Sequence, residues 1–136
     1  KYLQEHQEEW HLFSGLLADL SDVKIKGIVN YNNEKLVYIN KMISTVFNVY
    51  NQSFYPYFLA WDEKDKDNQV ITIDRFLERQ KNLKIVTTSP FLVGHKEELY
   101  SILWGFKNIS YNDKIQKSND LLRDKTNEYI TQEGIS

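Results

Sequence analysis

Apolar positions along the 136-residue chain change their spacing several times, and each change predicts a new element. In residues 2–20, Leu3, Trp10 and Leu17 recur every seven positions, with His6, Phe13 and Leu20 three further on. That spacing predicts an amphipathic helix whose apolar seam is broken at His6. Gly15 interrupts it, at about 1 kcal/mol relative to Ala, and Ser21-Asp22 ends it. Leu12 and Leu16 widen the stripe, so the helix suits either a second copy of itself or the face of a sheet. Its expected role is packing or dimerisation, with Leu3, Trp10, Phe13, Leu17 and Leu20 as the interface. From residue 25 the pattern becomes β-like. Two such runs, 25–31 and 36–39, flank Asn32-Asn33-Glu34 and predict a hairpin. The second run leads into a predicted helix over 41–50, with Met42, Val46 and Val49 near one side and Asn40 at the N-cap position.

The second half of the chain is less regular. Residues 51–61 are rich in aromatics and broken by Pro56, which suits one helical turn or a loop. The run DEKDKDN at 62–68 reads as a solvated loop, without the glycine and downstream glutamate of a calcium-binding EF-hand. Residues 70–83 fit strand or helix, and a helix over 73–81 is the preferred reading, capped by Thr72 or Asp74. Two strands are expected next, over 83–93 and 98–109, joined by a turn at 94–97. Pro90 marks an edge, a bulge or a bend in the first. The second is apolar on both faces, since Tyr100, Ile102, Trp104 and Phe106 alternate with Leu99, Leu103 and Gly105. Something must therefore cover the sheet's second face, and the stripe Trp10–Phe13–Leu17 is the candidate, from the same chain or a dimer mate. A polar helix over 110–130 follows, with Ile115, Leu122 and Tyr129 seven apart and only Ser118 and Lys125 between them. So weak a stripe needs a partner.

Composition narrows the function. With 41% hydrophobic and 14% aromatic residues the chain is a globular protein of one domain with its own core. Seventeen basic against 19 acidic side chains leave a charge of −2, which argues against binding along a nucleic-acid backbone. The absence of cysteine excludes disulfides, thiolate metal sites and thiol nucleophiles. No apolar run approaches the roughly 18 residues of a membrane span. A chain that opens at Lys1 inside a predicted helix is expected to be an excised piece whose partner domains have been cut away.

At Gly27, Ile28, Val29, the Asn32-Asn33 turn, Val37-Tyr38-Ile39-Asn40 and Phe47, the chain resembles the opening of a PAS domain, a strand, polar turn, second strand and short helix. Gly105-Phe106-Lys107-Asn108-Ile109-Ser110 is similar to the family's closing strand, ahead of a polar signalling helix. The resemblance spans residues 23–110. It implies an α+β fold, a five-stranded antiparallel sheet with helices on one face. A flanking helix over 1–22 and a signalling helix over 111–136 would join it to its neighbours. The implied function is that of a sensory and dimerisation module in a larger signalling protein. It would be cytoplasmic and homodimeric, attached to a fused output domain, and would respond to a small ligand by shifting its flanking helices. Two alternatives stand beside it, a purely structural dimerisation module and an extracellular ligand-binding domain of the related Cache type.

Phe47, Trp61, Phe76, Thr87, Ser89 and Trp104 are the candidate lining of a cavity between sheet and helices, although aromatics at such spacings more often fill a core. Thr87 and Ser89 are the more telling pair, because buried hydroxyls need partners and a ligand can be one. No cofactor is assigned. His6, His11 and His95 do not suit an axial haem ligand, cysteinyl-flavin chemistry has no cysteine, and five glycines form no nucleotide-cradling loop. Catalysis is not expected. Ser89 and His95 lack a nucleophile elbow, His95–Glu98 lacks the two-histidine spacing of a zinc hydrolase, and the adjacent pairs Glu8-Glu9 and Glu97-Glu98 diverge on any regular element.

Overall fold

The computed structural model describes residues 1–42, 47–61, 72–94 and 109–135. The predicted hairpin is its most regular part. β2 (Ile25–Tyr31) and β3 (Glu34–Ile39) are joined by Asn32 and Asn33, with φ of 51° and 66°. Asparagine adopts this left-handed conformation more readily than most residues, and a two-residue turn of this hand matches the twist of the strands it joins. The register runs Tyr31↔Glu34, Val29↔Leu36, Ile28↔Val37 and Gly27↔Tyr38, then shifts so that Ile25 faces Ile39. The bulge at Lys26 puts Ile25 and Ile28 on one face although they are three residues apart.

The hairpin forms one side of a five-stranded sheet in the order β2-β3-β5-β1-β4. Its other strands are β1 (Leu12–Ser14), β4 (Asn48–Tyr50) and β5 (Ile85–Thr88). β3 pairs antiparallel with β5 and β1 antiparallel with β4, while β1 and β5 are parallel, with Leu12 opposite Ile85 and Phe13 opposite Val86. The fold is thus α+β with a mixed sheet. The expectation of an all-antiparallel sheet is corrected at its centre, where β1 and β5 run the same way.

Each face of the sheet has its own core. On the first, Leu12, Ile25, Val37, Ile39 and Ile85 pack under Leu17, Leu20, Val23, Met42, Phe54, Leu77 and Leu122. The covering residues come from the loops after β1 and β3, from α2 (Tyr55–Leu59) with the 3-10 turn before it, from α3 (Ile73–Glu78) and from α4 (Ile109–Glu133). On the second face, Phe13, Leu36 and Val86 lie under Tyr2 and Trp10, with Leu3, Val29, Tyr31 and Tyr38 at the margin. Tyr2 and Leu3 belong to α1 (Tyr2–Glu5).

The N-terminal region departs most from expectation. Residues 2–20 are not one helix: α1 is followed by a 3-10 turn, Gln7–Glu9, and then by β1, an interior strand with all three residues buried. A short strand enclosed on both faces shows no polar alternation, so its apolar run mimics a helical stripe. The N-terminal segment does cover the second face, from the same chain, through Tyr2, Leu3 and Trp10. Phe13 lies in the sheet itself, and Leu17 and Leu20 cross to the first face. The five proposed interface residues are therefore split between two intrachain cores and share no seam. Gly15 has another explanation: a Cβ there would lie 2.5 Å from Cδ1 of Phe47, whose backbone carbonyl accepts the Gly15 N–H at 2.9 Å.

Smaller corrections follow the same logic. The helix expected over 41–50 gives way at its end to β4, residues 43–46 lie outside the described residues, and the Asn40 side chain accepts the Lys24 N–H at 2.8 Å, across the base of the hairpin. The strand expected over 83–93 is confined to Ile85–Thr88 and ends before a cis Ser89–Pro90 peptide. The helices expected over 73–81 and 110–130 are present as α3 and α4. The loop at 62–68 and the strand at 98–109, except its last residue in α4, lie outside the described residues, as does His95.

Candidate functional site

α4 is a long, mostly polar helix, and its contacts with the rest of the molecule create the site. Its buried side chains are Ile115, Ser118, Leu122 and Thr126, a stripe at helical spacing that alternates apolar and hydroxyl residues. Leu122 enters the first-face core. Ser118 accepts the Leu20 N–H at 2.7 Å and donates to the Lys114 carbonyl at 2.9 Å, so its hydroxyl is satisfied in both directions. One position on, Asn119 accepts the Phe91 N–H at 3.0 Å and ties the helix to the turn after β5. An exposed pair, Lys114–Asp19 at 3.3 Å, adds little.

Between that turn and the middle of α4 is a cleft of about 440 Å³. Lys35 and Ser89 line it from the sheet side, and Gln116, Asn119, Asp120, Arg123, Thr126 and Asn127 from α4; among the described residues Pro90 is the one apolar residue of its lining. Within it, Asp120 accepts from Arg123 at 3.0 Å and from Gln116 at 3.2 Å, and Arg123 also pairs with Asp124 at 3.2 Å. Thr126 stands apart from this network. It is 2% exposed and its hydroxyl has no hydrogen-bond partner. A buried hydroxyl left unpaired costs about 1–3 kcal/mol, and the residue that carries it is part of the cleft's lining.

Of the residues expected to line a pocket, Ser89 is the only described one that reaches this cleft. Phe47 is 43% exposed and lies against Gly15; Trp61 is half-buried just beyond α2; Phe76 packs at the edge of the first-face core. Thr87 is fully buried, with its hydroxyl unpaired. Because β5 ends at Thr88, Thr87 and Ser89 do not continue one strand face as expected. Trp104 lies outside the described residues. Lys35, Asn119, Arg123 and Thr126 were not anticipated. For the α4 residues the one signal in the sequence is the intrusion of hydroxyl residues, Ser118 and Thr126, into the helix's apolar stripe.

A second, open groove of about 660 Å³ runs past Tyr38, Glu9, Lys26, Lys81 and Lys84. Its polar centre is already partnered. Tyr2 donates to Glu9 at 2.8 Å and shares a 3.0 Å hydrogen bond with Tyr38, and Tyr31 donates to the Glu5 carboxylate. Burial raises the pKa of Tyr2 and of Tyr38, so both stay neutral phenols. This network anchors α1 to the sheet. Among the described residues no three of His, Asp and Glu converge as a metal site requires, and no helix is long and apolar enough to cross a membrane.

The chain matches no family model, no curated protein and no solved structure. The cleft beside α4 is therefore judged on its own chemistry. It has a satisfied frame in Ser118, Asn119, Asp120 and Arg123, and an unsatisfied interior in Thr126.

Proposed function

We propose that this chain is a sensory module of PAS-like type that binds a small molecule in the cleft between the turn after β5 and α4, and reports occupancy through the docking of α4. The observation that carries the reading is the polar cleft of about 440 Å³ that both the sheet body and α4 line, with Thr126, whose buried hydroxyl is unpaired, among its lining residues. A molecule held there touches two parts joined otherwise by a few hydrogen bonds and one apolar stripe. A ligand with different contacts in two docking states shifts the balance between them by its difference in affinity, and by no more. The hairpin-led five-stranded sheet with helices packed on its first face is compatible with the PAS-like reading. In this reading a cytoplasmic signalling protein carries the module, and α4 leads to a fused output domain.

Native mass spectrometry of the purified protein, compared with its mass after denaturation, tests the proposal. A reproducible non-covalent adduct, accompanied by slower amide exchange in the middle of α4, is the expected result. Absence of an adduct, together with no thermal shift across a metabolite panel, would overturn it in favour of a filled structural module.

A further inference from the structure

We infer that β4 is a self-association edge: it pairs antiparallel with β4 of a second copy of the chain, about a two-fold axis near Val49, and joins two five-stranded sheets into one. The inference does not rest on the ligand reading of the cleft, which lies beside α4 at the other side of the sheet.

Among the described residues the sheet ends in β2 on one side and β4 on the other. An edge strand is a template for pairing with another chain, and proteins blunt it with bulges, lysines or prolines. β2 is blunted: it carries the bulge at Lys26, whose side chain is exposed. β4 is not. Its register with β1 runs without a shift through Ser14↔Asn48, Phe13↔Val49 and Leu12↔Tyr50, and it contains neither lysine nor proline. Its side chains are those of an interior strand. Val49 lies opposite Phe13 of the second-face core and Tyr50 opposite Leu12 of the first, so β4 presents an apolar or aromatic side chain to each face. Phe47, Val49 and Tyr50 are nevertheless 40–43% exposed. A strand apolar on both faces belongs between two neighbours, and β1 is the one neighbour β4 has among the described residues.

The apolar surface continues from the strand on both sides. On the first face the Tyr50 ring meets Phe54 at 4.9 Å and Phe54 meets Phe58 at 6.2 Å between centroids, and Tyr55, Phe58 and Leu59 of α2 are exposed. On the second face a groove of about 560 Å³ runs beside β4, with Leu3, Gln7, Trp10, Val49 and Gln52 in its lining, and Lys1 is the one charged residue among its described lining residues. Side chains of an added strand would enter it. Charge selects the partner. Residues 42–61 contain no Asp, Glu, Lys or Arg, the longest uncharged run in a chain of which 26% is charged. A two-fold axis sets each charge close to it against its own copy, so a surface that pairs with itself must be free of charge near the axis. A lipid surface would leave the backbone polar groups of an edge strand unsatisfied, whereas another strand satisfies them. A second copy supplies that strand together with matching apolar side chains.

The test is analytical ultracentrifugation of the whole chain and three variants at Val49, with circular dichroism as the check on folding. The parent should show a dimer whose fraction grows with concentration. Val49→Lys sets two ammonium groups against each other across the axis and should raise the dimer dissociation constant at least about a hundredfold while the spectrum is kept. Val49→Thr, uncharged and β-branched, should leave the dimer in place. The chain has no cysteine, so Val49→Cys offers a single thiol, and mild oxidation should link two copies through it. That cross-link decides the matter if Val49→Lys fails to fold. A dimer that tolerates Val49→Lys and does not cross-link through Val49→Cys would overturn the assignment of β4. A parent that stays monomeric at about 1 mM would overturn self-association, and slow amide exchange in β4 of such a monomer would give the edge to a segment of the same chain. A dimer without a small-molecule adduct leaves this inference standing and removes the ligand reading of the cleft.

Discussion

Gly15 separates two accounts of the N-terminal region at the scale of one residue. In a helix, Gly15→Ala would stabilise by about 1 kcal/mol. In the observed fold the new methyl meets the Phe47 ring, with Cβ 2.5 Å from Cδ1, and the substitution should destabilise by about 1–3 kcal/mol in urea titration. His11 supplies a pH dependence. Its Nδ1 accepts the Lys84 N–H at 2.8 Å, which requires the neutral ring, and burial followed by the Lys84 charge lowers its pKa from 6.5. The unfolded chain therefore binds the proton more readily. This contribution to stability is complete above about pH 6.5 and is lost as pH falls towards the lowered folded value. Urea midpoints should drop between pH 7.5 and pH 5, and His11→Gln, which keeps an acceptor but does not titrate, should flatten that drop. Neither role was legible in sequence. A glycine's neighbour and a histidine's donor both come from distant segments, and only chain packing brings them in.

At the scale of elements, α4 depends on its polar anchors. Ser118→Ala leaves the buried Leu20 N–H without its acceptor, at a cost of about 1–3 kcal/mol. Hydrogen exchange should then rise at Leu20 and along the middle of α4, while β2 and β3 remain protected. Local elements were the ones read correctly. The β2–β3 hairpin carries its instructions within fifteen residues, an asparagine turn between two β-type runs, and α4 is long enough for its period to show. β1 carried no such instruction. It is three residues long, buried on both sides, and paired in parallel with a strand from the far half of the chain. Parallel pairing needs a long crossover and leaves no turn signal.

For the molecule as a whole, the two cores predict how the N-terminal residues respond to charge. Trp10 is 6% exposed in the second-face core and Leu17 fully buried in the first. Placing Glu at either position buries a carboxylate without a partner, a penalty comparable with the entire stability of a small domain. Trp10→Glu and Leu17→Glu should each yield an unfolded or aggregated protein by circular dichroism and gel filtration. A folded monomer from both would instead restore these residues to a surface seam. The cleft beside α4 belongs to this scale as well, since its lining joins Lys35 and Ser89 of the sheet side to residues of α4 that are far apart from them in sequence. Amino-acid order alone was enough for the hairpin and the terminal helix, because turn chemistry and side-chain period act between near neighbours, and the α+β class came with the family resemblance those elements carry. Tertiary structure decided that β1 is an interior strand, that the proposed interface is two cores, and that a polar cleft opens between the sheet and α4. Each of these depends on which distant surfaces exclude water together, and that is a property of the packed chain.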